Sequence, residues 1–122
     1  MNSNTISIIG RVLLATIFVF SGIGKIMAPA ATIGYIASSG LPLAPLGFAI
    51  AVAVELGGGL ALVFGFQTRI VAAILAAFSV ATALAFHTNF ADQNQLIHLL
   101  KNFAMAGGLL QVVAFYGNKA KA

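Results

Sequence analysis

Residues 41–66 read LPLAPLGFAIAVAVELGGGLALVFGF, a run in which Glu55 is the only charged side chain and every other position is apolar, Gly or Pro. About 20 predominantly apolar residues make a helix long enough to cross a bilayer. Residues 44–64 supply one, opened by Pro42 and Pro45 and closed by the turn Gly65-Phe66-Gln67-Thr68. Glu55 then falls near the middle of the membrane. An ionisable group at that depth costs at least ~2.5 kcal/mol and is retained where it faces a polar cavity or a cationic partner. Glu55 is therefore a candidate functional residue.

Outward from this run the pattern recurs at about residues 6–27, 69–86 and 96–116, with Pro29 supplying the stop after the first. The fold class is all-α: a four-helix transmembrane bundle that occupies residues 1–122 as a single membrane domain. Composition agrees, since 61% of residues are hydrophobic, only 7% are charged, and the mean hydropathy is +1.06. Those values exclude an ordinary soluble domain. Residues 28–43 carry Tyr35 and the turn signal Ser38-Ser39-Gly40, with room for a short interfacial helix, and residues 87–95 form the most polar stretch. Both loops lie on one face of the membrane.

Counting Lys and Arg near the helix ends sets an expected orientation. The face with the N-terminus, the Thr68 turn and the C-terminus carries Arg11, Arg69, Lys119 and Lys121, whereas the other has Lys25 and Lys101 with Asp92 beside them. Both termini are expected in the cytoplasm, with Arg69 at the cytoplasmic turn. Ala28-Pro29-Ala30 has the small residues of a signal-peptide cleavage site, but Arg11 and Lys25 bracket the apolar run and Pro29 sits inside the site. An uncleaved first helix is expected.

The net charge of +4 comes from cations scattered singly among apolar runs, so nucleic acid is not an expected partner. Cysteine is absent, which removes disulfides, thiolate metal sites and dithiol chemistry by this chain. Any electrons must be carried by a bound cofactor or a partner. A faint internal repeat aligns Arg11, Ala15 and Phe20-Ser21 with Arg69, Ala73 and Phe78-Ser79, and Gly58-Gly59-Leu60 with Gly107-Gly108-Leu109. Such a helix-pair repeat would preserve orientation, as in some transporters.

On the first helix, Arg11, Ala15, Phe18, Gly22 and Lys25 share a face, charged at both ends and narrow in the middle. Snorkelling to opposite headgroup layers is the plain alternative for the two cations. Glu55 is followed by Gly57, Gly58 and Gly59, which serve tight helix packing or the close approach of a flat ligand. On the fourth helix His98, Lys101, Met105, Gly108 and Val112 share a face, with Asn102 beside it. Lys101 lies ~8 Å inside the helix at 1.5 Å per residue, and an ion pair from Glu55 to Lys101 or to Arg11 is the simplest way to hold those charges. His87, Asp92 and His98 match no metal-ligand spacing, so no metal is expected and they are assigned to the outer water interface.

With these residues in place, the chain resembles the DoxX family across nearly its whole length. The resemblance is carried by Arg11 and Phe20-Ser21-Gly22-Ile23-Gly24-Lys25, Gly40-Leu41-Pro42, Glu55 with Leu60, Gly65-Phe66-Gln67-Thr68-Arg69-Ile70-Val71-Ala72, His87, Lys101-Asn102 and Gly107-Gly108. It implies a small four-helix protein of the bacterial inner membrane and, for some relatives, association with oxidoreductases, as a subunit of thiosulfate:quinone oxidoreductase or a membrane partner in oxidative-stress and thiol redox complexes. The missing cysteines put a direct dithiol role out of reach here.

The leading expectation is a membrane subunit of a redox system. Its polar centre of Glu55, Lys101 and Asn102, with Arg11 and Lys25 as further members, would accept a quinone headgroup. Lys101 and Asn102 would donate hydrogen bonds to the quinone oxygens, and Glu55 would move the proton. No covalent cofactor is expected, and the expected partners are the lipid bilayer, a redox protein and a second copy of the chain. The alternatives are a small-solute transporter built on the same centre and a ligand-free scaffold whose buried charges set helix register.

Overall fold

A computed structural model of the chain describes residues 2–121, with side chains through residue 117. The side chains of Lys119 and Lys121, used above in counting charge, lie outside the described residues. The described residues form six helices and one π turn, α1 (Ser3–Met27), α2 (Pro29–Ser38), α3 (Ala44–Val52), a π turn (Ala53–Gly57), α4 (Gly58–Phe64), α5 (Thr68–Phe86) and α6 (Gln93–Lys121), all of which except the short α2 build four membrane-length spans. Among the described residues there is no strand.

Spans adjacent in sequence pack against each other, and α1 against α6 closes the ring, so the bundle runs simply up and down. The interior is built from small residues. The core comprises Ala15, Phe18, Leu62, Ala72, Leu75, Ala76, Ala106, Leu109 and Val112, while Phe20, Met27 and Phe64 are about four-fifths exposed. This inside-out distribution suits lipid, where helix association depends on close packing and polar contacts because lipid tails are as apolar as Leu. Gly22 and Gly59 show the closeness required: a Cβ on Gly22 would lie 2.9 Å from the Leu56 Cβ, and one on Gly59 3.1 Å from the Val19 backbone nitrogen.

Two local features depart from the expected elements, and one agrees with them. The loop of residues 28–43 does contain a helix, α2, with Pro29 in its first turn, where a missing N–H costs nothing. The fourth span starts at Gln93 instead of 96, because Asp92 Oδ1 accepts from the Asn94 N–H at 2.9 Å and so supports three polar residues as the first turn. The second span is not a continuous α-helix: its middle widens into the π turn centred on Glu55. Ala51, Glu55 and Gly59 are all buried, yet steps of four in a regular helix drift by about 40° each. A turn with more residues takes that drift out and keeps all three on the inner side, and π turns of this kind occur frequently at functional sites.

Candidate functional site

Glu55 is buried, with its side chain 7% exposed, and forms an ion pair with Lys25: Nζ to Oε1 is 2.8 Å and Nζ to Oε2 is 3.2 Å. The expected partners Lys101 and Arg11 do not make this pair. The topology explains why. α2 packs along α3, whereas α1 packs chiefly along the π turn and α4, so the C-terminal turn of α1 sits level with Glu55. Lys25 in that last turn also complements the helix C-terminus. Instead of snorkelling outward, it turns inward and keeps a side-chain exposure of 27%.

The pair forms part of the wall of a cavity of about 720 Å3 in the half of the bundle nearest the polar loops. α1 contributes Phe18, Ser21 and Lys25; α2 contributes Thr32, Tyr35 and Ile36; α3 and the π turn contribute Ala51 and Glu55. α5 adds Phe78, Ser79 and Thr82, with His87 just beyond its end, and α6 adds His98, Lys101, Asn102 and Met105. Glu55, Lys25, Lys101, Asn102, His87 and His98, read separately from the sequence, thus surround one chamber. Arg11, Arg69 and Asp92 do not line it. Tyr35 stacks on Phe86 with ring centroids 5.4 Å apart, which ties α2 to the end of α5 beside the chamber.

The polar groups of the cavity differ in what they have left to offer. Asn102 donates its side-chain amide to the Ser79 carbonyl and to Thr82 Oγ1, both at 3.1 Å, so its two N–H groups are committed to bridging α6 and α5. That corrects its expected part as a donor to a quinone and leaves only its carbonyl oxygen. Lys101 has no ion-pair partner among the described residues. His87 and His98 stack with centroids 5.1 Å apart. Burial of His87 and, secondarily, the proximity of His98 push the His87 imidazole below its usual range, favouring the neutral ring. Its Nδ1 is buried with no hydrogen-bond partner.

At the opposite end Arg11, 8% exposed, donates to Tyr116 Oη and lies over the Tyr116 ring, 5.4 Å from its centroid. Sequence reasoning missed Tyr116, and nothing local could have paired residues 105 positions apart. It also missed Ser79 and Thr82, whose polarity is masked at the level of composition by flanking Ala and Val. Among the described residues no group of three His, Asp or Glu side chains is placed to hold a metal ion.

Four apolar spans ringed about a mainly apolar chamber with a few charged residues in its wall define a small integral membrane protein with an internal cavity. The family model described as DoxX matches residues 6–88, and the chain belongs to that family. Its similarity to Inner membrane protein YqjF of Escherichia coli (strain K12) is 38% identity over 105 residues, covering 84% of this chain and 78% of the relative. With Inner membrane protein YphA of the same strain it is 32% over 108 residues, covering 84% and 77%. No solved structure matches the chain.

Proposed function

We propose that this DoxX-family protein is a membrane subunit of a quinone-linked redox system in the bacterial inner membrane, with both termini cytoplasmic. One observation carries the proposal: a cavity of about 720 Å3 with mainly apolar walls gathers an unpaired Lys101 ammonium and a buried, unpartnered His87 Nδ1 beside a neutralised Lys25–Glu55 pair. That volume and lining are typical of small-molecule sites. A ligand-free scaffold would be favoured by a tightly packed centre, and this centre has room.

The donor set fits a quinone headgroup. A bound quinone would supply acceptance of two electrons and two protons, the electrons coming from a partner subunit. Lys101 offers a donor to one ring oxygen and His87 Nδ1 a polar partner to another, while Phe18, Phe78 and Ile36 exclude water from the ring. Lys25 Nζ lies 2.8 Å from Glu55 Oε1, so Glu55 works with Lys25 as a unit instead of alone. His87, whose ring burial pushes toward the neutral form, is stacked on the more exposed His98.

Quinone titration of the purified protein in nanodiscs tests this. Saturable binding is expected, weakened about tenfold by Lys101→Gln, the loss of one charge-assisted hydrogen bond. No saturable quinone binding and no co-purifying redox protein would reject it.

A further inference from the structure

Among the described residues, the end of the bundle opposite the cavity carries positive charge without an acidic partner. α5 begins at Thr68 with no side-chain cap and no acid in its first turn. Its first intrahelical bond is donated by Val71 to the Gln67 carbonyl, so the N–H groups of Thr68, Arg69 and Ile70 point out of the helix start. A cleft of about 400 Å3 at this helix start is lined by Gly65, Gln67, Thr68, Arg69, Ile70 and Tyr116.

One arginine lines the cleft and a second lies buried behind its Gly65–Tyr116 wall. Arg69 packs its guanidinium on Gly117, where a Cβ would lie 3.1 Å from Nε. Arg11 presses on Gly65 from the interior, its Nη1 3.3 Å from where a Cβ would stand, and bonds Tyr116 Oη. Both residues it touches line the cleft. Arg11 is 8% exposed, and its Nε is buried with no partner. The chain has two acidic side chains: Glu55 is paired with Lys25, and Asp92 lies in the polar loop at the other end. Among the described residues neither arginine is paired with an acid.

An exposed guanidinium, a tyrosine hydroxyl and an open helix N-terminus in the cleft, with the buried Arg11 guanidinium adding positive charge from behind its wall, together make an oxyanion site. We propose that this corner binds a phosphate-type oxyanion. Its position at a span end suits the phosphodiester of an anionic phospholipid, with the exposed Phe66 and Ile70 beside the cleft as a surface for acyl chains. Free inorganic phosphate shares the same chemistry.

Native mass spectrometry of the full-length, detergent-extracted protein with phosphatidylglycerol or phosphatidylcholine tests the lipid source. Thermal unfolding in sodium phosphate or sodium chloride at matched ionic strength tests the free ion. The lipid source predicts preferential retention of phosphatidylglycerol, reduced about tenfold in Arg69→Gln, whose exposed side chain makes folding failure a minor concern, and unchanged in Lys119→Gln, which removes the same charge from the last turns of α6. The free-ion source predicts a phosphate-specific thermal shift lost in Arg69→Gln. Absence of both effects, or equal losses in Arg69→Gln and Lys119→Gln, overturns the proposal.

Discussion

Replacing Lys25 by Met keeps the length of the side chain and removes the only cation paired with Glu55. Removing one partner of a buried ion pair costs about 3–5 kcal/mol, because the other charge stays buried without compensation. Here the two partners are unequal: the Glu55 side chain is 7% exposed and that of Lys25 27%. Water therefore screens part of the interaction, which lowers the expectation for Lys25→Met to about 2–3 kcal/mol. The reciprocal change, Glu55→Gln, leaves a cation that can swing toward water, and should cost about 1 kcal/mol. Removing both charges should restore the bundle to within about 1 kcal/mol of wild type, because two neutral side chains carry no desolvation penalty. Reversible unfolding by steric trapping in bicelles, run as a double-mutant cycle, measures each quantity. A loss under about 0.5 kcal/mol in Lys25→Met, or a double mutant no more stable than Lys25→Met, would refute the view that the pair is a mutually dependent unit.

Further outcomes follow from the same geometry. His87 should titrate below 6.5 in imidazole NMR spectra, and His98→Gln should move its midpoint upward by removing the second cause of the shift. Because the folded state binds that proton less readily than the unfolded chain, the His87 contribution leaves stability full above about pH 6.5. Stability then declines as pH falls through the lowered midpoint, which unfolding against pH will show. Gly22→Ala should destabilise by about 1–3 kcal/mol, since its Cβ would meet Leu56 at 2.9 Å, whereas Gly24→Ala, with nothing within 4 Å, should stay near wild type in the same thermal assay. Asn102→Leu should cost about 0.6–1.7 kcal/mol by removing the bridge from α6 to α5; an unchanged unfolding free energy would contradict that role.

Much of the bundle was legible in the chain because a bilayer imposes a simple demand: each span must be long, apolar and internally hydrogen-bonded. The runs around Ala15, Glu55, Leu75 and Leu109 meet it, so the number and order of spans follow from composition alone. The inner face of α1 was equally plain, since Arg11, Ala15, Phe18 and Gly22, spaced at three and four, are its buried residues. Where polarity ran against the pattern the boundary was lost. Gln93, Asn94 and Gln95 look like loop until Asp92 is seen to support the turn they form.

Much of the polar set was also a property of the sequence: Glu55, Lys25, Lys101 and Asn102 are exceptional because charge and polarity are expensive in hydrocarbon, whereas His87 and His98 read as groups of the outer water interface. How they combine was not. Charges reach any partner within a side-chain length, and which partner that is depends on helix register, on where α1 stops and on the residues accommodated by the π turn. The packed structure gave Glu55 to Lys25, committed the Asn102 amide to Ser79 and Thr82, placed Lys101 and His87 in the wall of a cavity, and set Arg11 on Tyr116. Sequence determined which residues the membrane cannot ignore; tertiary packing alone decided which of them neutralise one another and which line the cavity without an ion-pair partner among the described residues.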